Sequence, residues 1–160
     1  MAISKINSNS LNSGVPASSN MPTGSVLQVV SANLTNTVST SSSSFVTTGL
    51  SVSITPKFST SKIFVVVGGG SMYNNGTGGQ QACTTIYRNG TNLAGSNGLS
   101  LAYASTNYVQ CPVSMSIYDS PATTSSTTYE VYFASVNVAG TIQLVLSNSK
   151  MTITLMEIAG

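Results

Sequence analysis

Catalysis needs groups that take and give protons, and this chain holds few of them. Its 160 residues include three carboxylates (Asp119, Glu130, Glu157), five cations, two cysteines (Cys83, Cys111) and no histidine. A serine or cysteine nucleophile needs a base, usually an imidazole, to take its proton, and no imidazole is present. A glycosidase needs two carboxyl groups about 5–10 Å apart. Glu130 and Glu157 fall inside strand-like runs, and Asp119 opens an Asp-Ser-Pro turn, where capping the turn is its expected role. A hard cation wants several oxygen ligands gathered on one loop, carboxylates among them, whereas these acids are scattered. The run Gly68-Gly69-Gly70 lacks the Lys and the helix start of a phosphate-binding loop. The expectation is a chain that is not an enzyme, with no catalytic residue, no metal site and no cofactor.

What remains is surface recognition. The aromatic face of a tyrosine stacks on a sugar ring, and Tyr73, Tyr103, Tyr108 and Tyr118 are the tyrosines such a site would use. Tyr73 is the best placed, in a loop read over residues 71–79 (SMYNNGTGG) beside Asn74 and Asn75; Asn97, in a second Gly/Asn-rich stretch, would join it. Tyrosines also sit at sandwich rims and subunit contacts, so the same residues have a purely structural reading. Arg88, the only arginine, stands beside the Asn89-Gly90 turn. Pairing with Asp119 or Glu130 across subunits is one option for it, and a solvated side chain is the expected one. Cys83 and Cys111 are too few for a disulfide framework; neighbouring strands would allow one bridge between them, and free, buried thiols are the expected case.

The elements that must carry these residues read as strands. Only 5% of residues are charged while 41% are hydrophobic, which is the opposite of a disordered composition. Leu50, Val52 and Ile54 alternate with Ser51, Ser53 and Thr55, the period of a half-buried strand. Pro56 stops it, residues 57–61 turn the chain back, and residues 63–67 (IFVVV) read as its neighbour, covered on both faces and ended by the three glycines. Asn89-Gly90 marks a tight hairpin, because a type I′ turn needs positive φ at both central positions. Val113, Met115 and Ile117 alternate again, residues 129–136 and 142–146 read as a hairpin pair, and residues 151–158 form a last strand. About ten strands and no helix predict an all-β, antiparallel β-sandwich of the jelly-roll kind over residues 24–160.

Residues 1–23 differ from the rest. They are rich in Ser and Asn, carry Pro16 and Pro22, and space single apolar residues (Ile3, Ile6, Leu11, Val15, Met21) without a helical or strand period. That pattern predicts an extended N-terminal arm that orders on a partner. A net charge of +2 offers no basic stripe for nucleic acid, and no apolar run spans a bilayer. So little surface charge protects poorly against association, so contact with other chains is expected.

Three segments together carry a family resemblance: GSVLQVVSANLTNTVSTSSSSFVTTGLSVSITPKFSTSKIFVVV, MSIYDSPATTSSTTYEVYFAS and MTITLMEIAG. They resemble a family of bacteriophage virion proteins found as C-terminal domains of tail fibres and as small stand-alone structural proteins. The resemblance implies a homotrimeric β-sandwich on the outside of a virion; the N-terminus shows no apolar signal-peptide core, so synthesis in the host cytoplasm is expected. A tail fibre would bring a long shaft or docking domain, and this sequence has only the short arm. The resemblance therefore points to capsid decoration (cement) proteins, with the major capsid protein as partner of the arm residues. The alternative is a tail- or head-fibre tip module that holds host surface glycans on the loops around Tyr73 and Asn97, with other tail proteins as partners.

Overall fold

The computed structural model describes residues 18–74, 79–105, 109–136, 140–145 and 149–160. Alternation of small polar with branched apolar residues becomes strands: β1 (Val26–Leu34), β2 (Val38–Thr40), β3 (Val46–Ile54), β4 (Lys62–Asn74), β5 (Gln80–Arg88), β6 (Thr91–Asn92), β7 (Ser100–Ala104), β8 (Val109–Asp119), β9 (Thr127–Val136), β10 (Ile142–Leu144) and β11 (Met151–Ile158). In β3, Leu50 and Ile54 are buried while Ser51 and Ser53 are exposed. In β11, Met151, Ile153, Leu155 and Glu157 are buried and the residues between them half-buried.

The strands form two antiparallel sheets. The first runs β1-β11-β4-β8, with β10 and β2 continuing it beside the far end of β4. The second runs β3-β9-β5-β7, with β6 beside the other end of β5. The four-strand orders β1-β11-β4-β8 and β3-β9-β5-β7 are those of a jelly roll, with the chain crossing between the sheets after β2, β3, β4, β7, β8 and β9. Ile63, Val65 and Val67 of β4, Met115 of β8 and Ile153 and Leu155 of β11 meet Leu50, Ile54, Ile86, Tyr129, Val131 and Phe133 in one core. Each such side chain contributes about 1.5–3 kcal/mol on leaving water. Ser18 and Gly160 lie at one end of the sandwich, here the terminal end, together with the connections 55–61 and 120–126; strands β4, β7 and β9 finish at the other, the loop end.

Four sequence expectations are corrected. Strands β3 and β4 are not paired neighbours: residues 55–61 cross from the second sheet to the first, so the apolar faces of both strands are covered by the same core. Strands β9 and β10 likewise belong to different sheets and form no hairpin, because β10 adds to β4 and β2 instead. Residues 63–67 alternate buried with half-buried positions, so one face of β4 is only partly covered. The glycine triplet does not end that strand. Gly69 and Gly70 take φ of 80° and 66° and shift the register against β8, after which β4 continues to Asn74. A Cβ at Gly69 would overlap the carbonyl oxygen of Lys150, so the missing side chain is what lets the chain entering β11 come close.

Candidate functional site

Each carboxylate is tied into the fold. Asp119 ends β8 in the first sheet, and both its oxygens accept from Arg88 Nη1 of β5, at 2.8 and 2.9 Å. Its Oδ2 also accepts from the hydroxyl of Tyr129 of β9, at 2.7 Å. The trio bridges the two sheets at the terminal end. Burial, and then the hydrogen bond and charge of Asp119, push the Tyr129 phenol well above its ordinary value. The expected solvated Arg88 and turn-capping Asp119 are both corrected. The register places Arg88 opposite Tyr129, on the inward side of β5, where its charge needs a partner.

Glu157 is fully buried on β11 and accepts from the backbone N–H of Lys57 at 2.7 Å and from Gln28 Nε2 at 2.6 Å. It pins the crossing connection to the first sheet. Glu130 faces outward on β9, where the Thr47 hydroxyl hydrogen-bonds to it. The second sheet thus separates it from the Asp119 cluster. Both cysteines are free: Cys83 is buried on β5, Cys111 half-buried on β8, and burial raises both thiol pKa values.

The tyrosine and asparagine positions expected to bind a glycan do not converge. Tyr73 is a half-buried residue of β4 rather than a loop residue, opposite Gln110 and Gln143. Asn74 is fully buried, its side-chain amide donating to the carbonyl of Gln80 at 2.8 Å. Both are corrected for the same reason: the glycine bulge lets β4 run on. Asn75 and Tyr108 lie outside the described residues. Asn97 is exposed in the connection that follows β6, which pairs with the Tyr87–Arg88 end of β5, whereas Tyr73 lies toward the Gln80 end.

Two aromatic groupings escaped sequence reading. Tyr87 of β5 stacks on Tyr132 of β9 (ring centroids 3.9 Å, 19° apart), and Phe45 meets Tyr87 edge-on at 6.3 Å. Slight burial and the Glu130 carboxylate raise the Tyr132 phenol. Their signal was parity: Tyr132 alternates out of step with the buried Tyr129, Val131 and Phe133, so it must leave the core face. On the outside of the first sheet, Phe64 and Tyr118 are cross-strand partners with rings 6.4 Å apart.

The beginning of the described chain is anchored. A 3-10 turn, Ser18–Asn20, is held by Lys57 Nζ donating to Ser18 Oγ at 2.8 Å. Gly24 N–H bonds the Ala159 carbonyl and Ala159 N–H bonds the Ser25 carbonyl, each at 2.8 Å. Met21, expected in the arm, sits half-buried and lines a shallow cavity of about 180 Å³ with Phe58, Ala159 and Gly160. It therefore packs on its own sandwich. Ile3, Ile6, Leu11 and Val15 lie outside the described residues.

Comparison with protein-family models finds no match, and comparison with curated proteins finds none either. Among the described residues no group of three or more His, Cys, Asp or Glu side chains is placed to hold a metal ion. The arrangement offers a two-sheet body with its acids engaged, a first described segment anchored at Ser18 and Gly24, and apolar and aromatic outer faces.

Proposed function

We propose that this chain is a structural protein of a phage virion, a trimeric capsid decoration protein whose N-terminal segment grips the major capsid protein, and that it is not an enzyme. The observation that carries the reading is the anchorage at Ser18–Gly24, which ties the root of residues 1–17 to the terminal end of the sandwich. Ile3, Ile6, Leu11 and Val15 then provide apolar contacts spaced along a segment that a groove or sheet edge on the shell would take. Linking several weak attachments through one assembly multiplies their strength by effective concentration. The three resembling segments span all or part of β1, β2, β3, β4, β8, β9 and β11, strands of both sheets, so the resemblance concerns the body as a whole. The outer surface of the virion is the location this reading assigns.

Deleting residues 1–17 tests it. The truncated protein is expected to keep its β-sheet circular dichroism and to lose binding to capsids that lack this protein; saturation of such capsids by the truncated chain overturns the reading. Copy number in purified particles gives an independent check, since decoration requires a fixed simple ratio to the major capsid protein.

A second reading, a fibre-tip module that holds host glycans, is favoured by the Phe45–Tyr87–Tyr132 cluster with Glu130 and Thr47 beside it. Its site is this outer face of the second sheet rather than Tyr73 and Asn97. Adsorption to permissive cells that survives Tyr132→Ala removes it.

A further inference from the structure

The outer face of the first sheet is apolar where it should be polar. Register places Val29, Met156, Phe64 and Tyr118 side by side in one row across β1, β11, β4 and β8. Val29 and Tyr118 are 55% and 58% exposed. The next row toward the terminal end adds Ile158, opposite the 49%-exposed Val26, and the row on the other side adds Val66 among Ser31, Thr154 and Ser116. A jelly-roll sheet facing water normally alternates apolar-in with polar-out. Here both sides of β4 and β11 carry apolar groups.

We infer that this face is a contact between copies of the chain: a second copy covers the row Val29–Met156–Phe64–Tyr118. Two features of the face select a copy as the occupant. The first is charge. Among the described residues of these three rows, the one charged side chain is Lys62, at the terminal end of β4, where its Nζ donates to Ser120 Oγ. Bringing the face against itself or around a symmetry axis therefore brings one cation per copy, at the edge of the rows, and opposes no field of like charges, the usual obstacle to a homotypic contact. The second is area. Four strands at about 4.8 Å spacing and eight residues at about 3.3 Å rise give a face on the order of 500 Å² in flat projection. Its corrugated accessible area is larger and comes close to the ~800 Å² per partner of a standard stable interface. Such an interface is apolar at its centre with a polar rim; here the apolar rows lie toward the terminal end and Ser31, Thr154 and Ser116 border them on the other side.

This inference goes beyond the decoration reading by naming the surface through which copies meet. The test is sedimentation velocity of the full chain at tens of micromolar. The unmodified protein is expected as an oligomer. Val29→Glu and Tyr118→Glu, both at exposed positions, are expected to raise the dissociation constant more than tenfold and to run at the 16.4 kDa of one chain. Tyr103→Glu, 54% exposed on β7 in the other sheet, is the control and is expected to keep the oligomer. If a Glu variant loses its β-sheet circular dichroism, Ser31→Arg replaces it, a large cation on an exposed serine of the adjacent row. A monomeric unmodified chain overturns the inference, as does an oligomer that the face variants leave intact or that only deletion of residues 1–17 dissolves. Capsid binding is scored separately, so a chain that assembles through another surface removes this contact and leaves decoration standing.

Discussion

Asp119→Ala removes the link between the two sheets at the terminal end. Asp119 and Arg88 side chains are 11% and 29% exposed, and Tyr129 is fully buried. Without the carboxylate, the Tyr129 hydroxyl is a buried donor with no acceptor, costing about 1–3 kcal/mol. Arg88 keeps part of its hydration, so its loss falls below that of a fully buried charge. The sum sits near the low end of the ~3–5 kcal/mol seen when one partner of a buried pair is removed, about 3 kcal/mol. For a chain of this size that is a drop in Tm of about 6–12 °C. Tyr129→Phe leaves the ion pair in place and is expected to cost about 1.5–3 kcal/mol, the value of a hydrogen bond to a charged group. Thermal and urea unfolding followed by circular dichroism measure both. In the Tyr129→Phe background, Asp119→Ala is expected to cost about 1 kcal/mol less than alone, because the two share one bond. A cost for Asp119→Ala below about 1 kcal/mol, that of an exposed ion pair, refutes the reasoning.

Gly69→Ala is expected to cost well over the ~1–2 kcal/mol of a left-handed conformation, since its Cβ also meets the Lys150 carbonyl, whereas Gly49→Ala, with φ of 78° and open space around it, costs only that conformational amount; paired urea titrations separate the two. A thiol reagent is expected to label Cys111 slowly and Cys83 only after denaturation, because Cys83 is fully buried; prompt labelling of both contradicts the placement of β5. Stability is expected to fall in alkali. The folded chain raises the pKa of Cys83, Cys111 and Tyr129, so their contribution is whole below the ordinary thiol value of 9.0 and is lost as pH rises through and above 9–10, when the unfolded chain ionises first. Urea midpoints measured between neutral pH and pH 11 check this, and Tyr129→Phe flattens the upper part of the fall.

The strands were legible because their period is local. Leu50-Ser51-Val52-Ser53-Ile54 tells which side is inward without reference to any other residue. Partnership was not legible. Nothing in residues 55–61 distinguishes a turn that doubles back in one sheet from one that crosses to another, and residues 137–141 posed the same ambiguity before β10. The glycines misled for a related reason: a bulge and a strand end use the same residue, and what decides between them is the Lys150 carbonyl, distant in sequence. The Asp119–Arg88–Tyr129 trio was half visible, since the pairing partner was named but not the inward parity of Arg88, which depends on where β5 begins. Outward aromatics were readable from parity once Tyr129, Val131 and Phe133 were taken as the core set, which leaves Tyr132 outside.

The place of β11 has a consequence for how the molecule is made. It lies between β1 and β4, with Val26 paired to Ile158 and Val67 to Ile153. During synthesis β1 and β4 both emerge long before the strand that joins them, and they have no ladder with each other. Until residues 151–158 leave the ribosome, the first sheet has a slot in its middle with two bare strand edges and an open core beneath. Such edges recruit whatever strand is nearest, from the same chain or from another. The pairing that closes the first sheet therefore waits for residues 151–158, and it is slow as non-local β pairing is slow. A synthetic peptide of residues 151–158 supplied in trans to a chain lacking them is the natural complement to that slot.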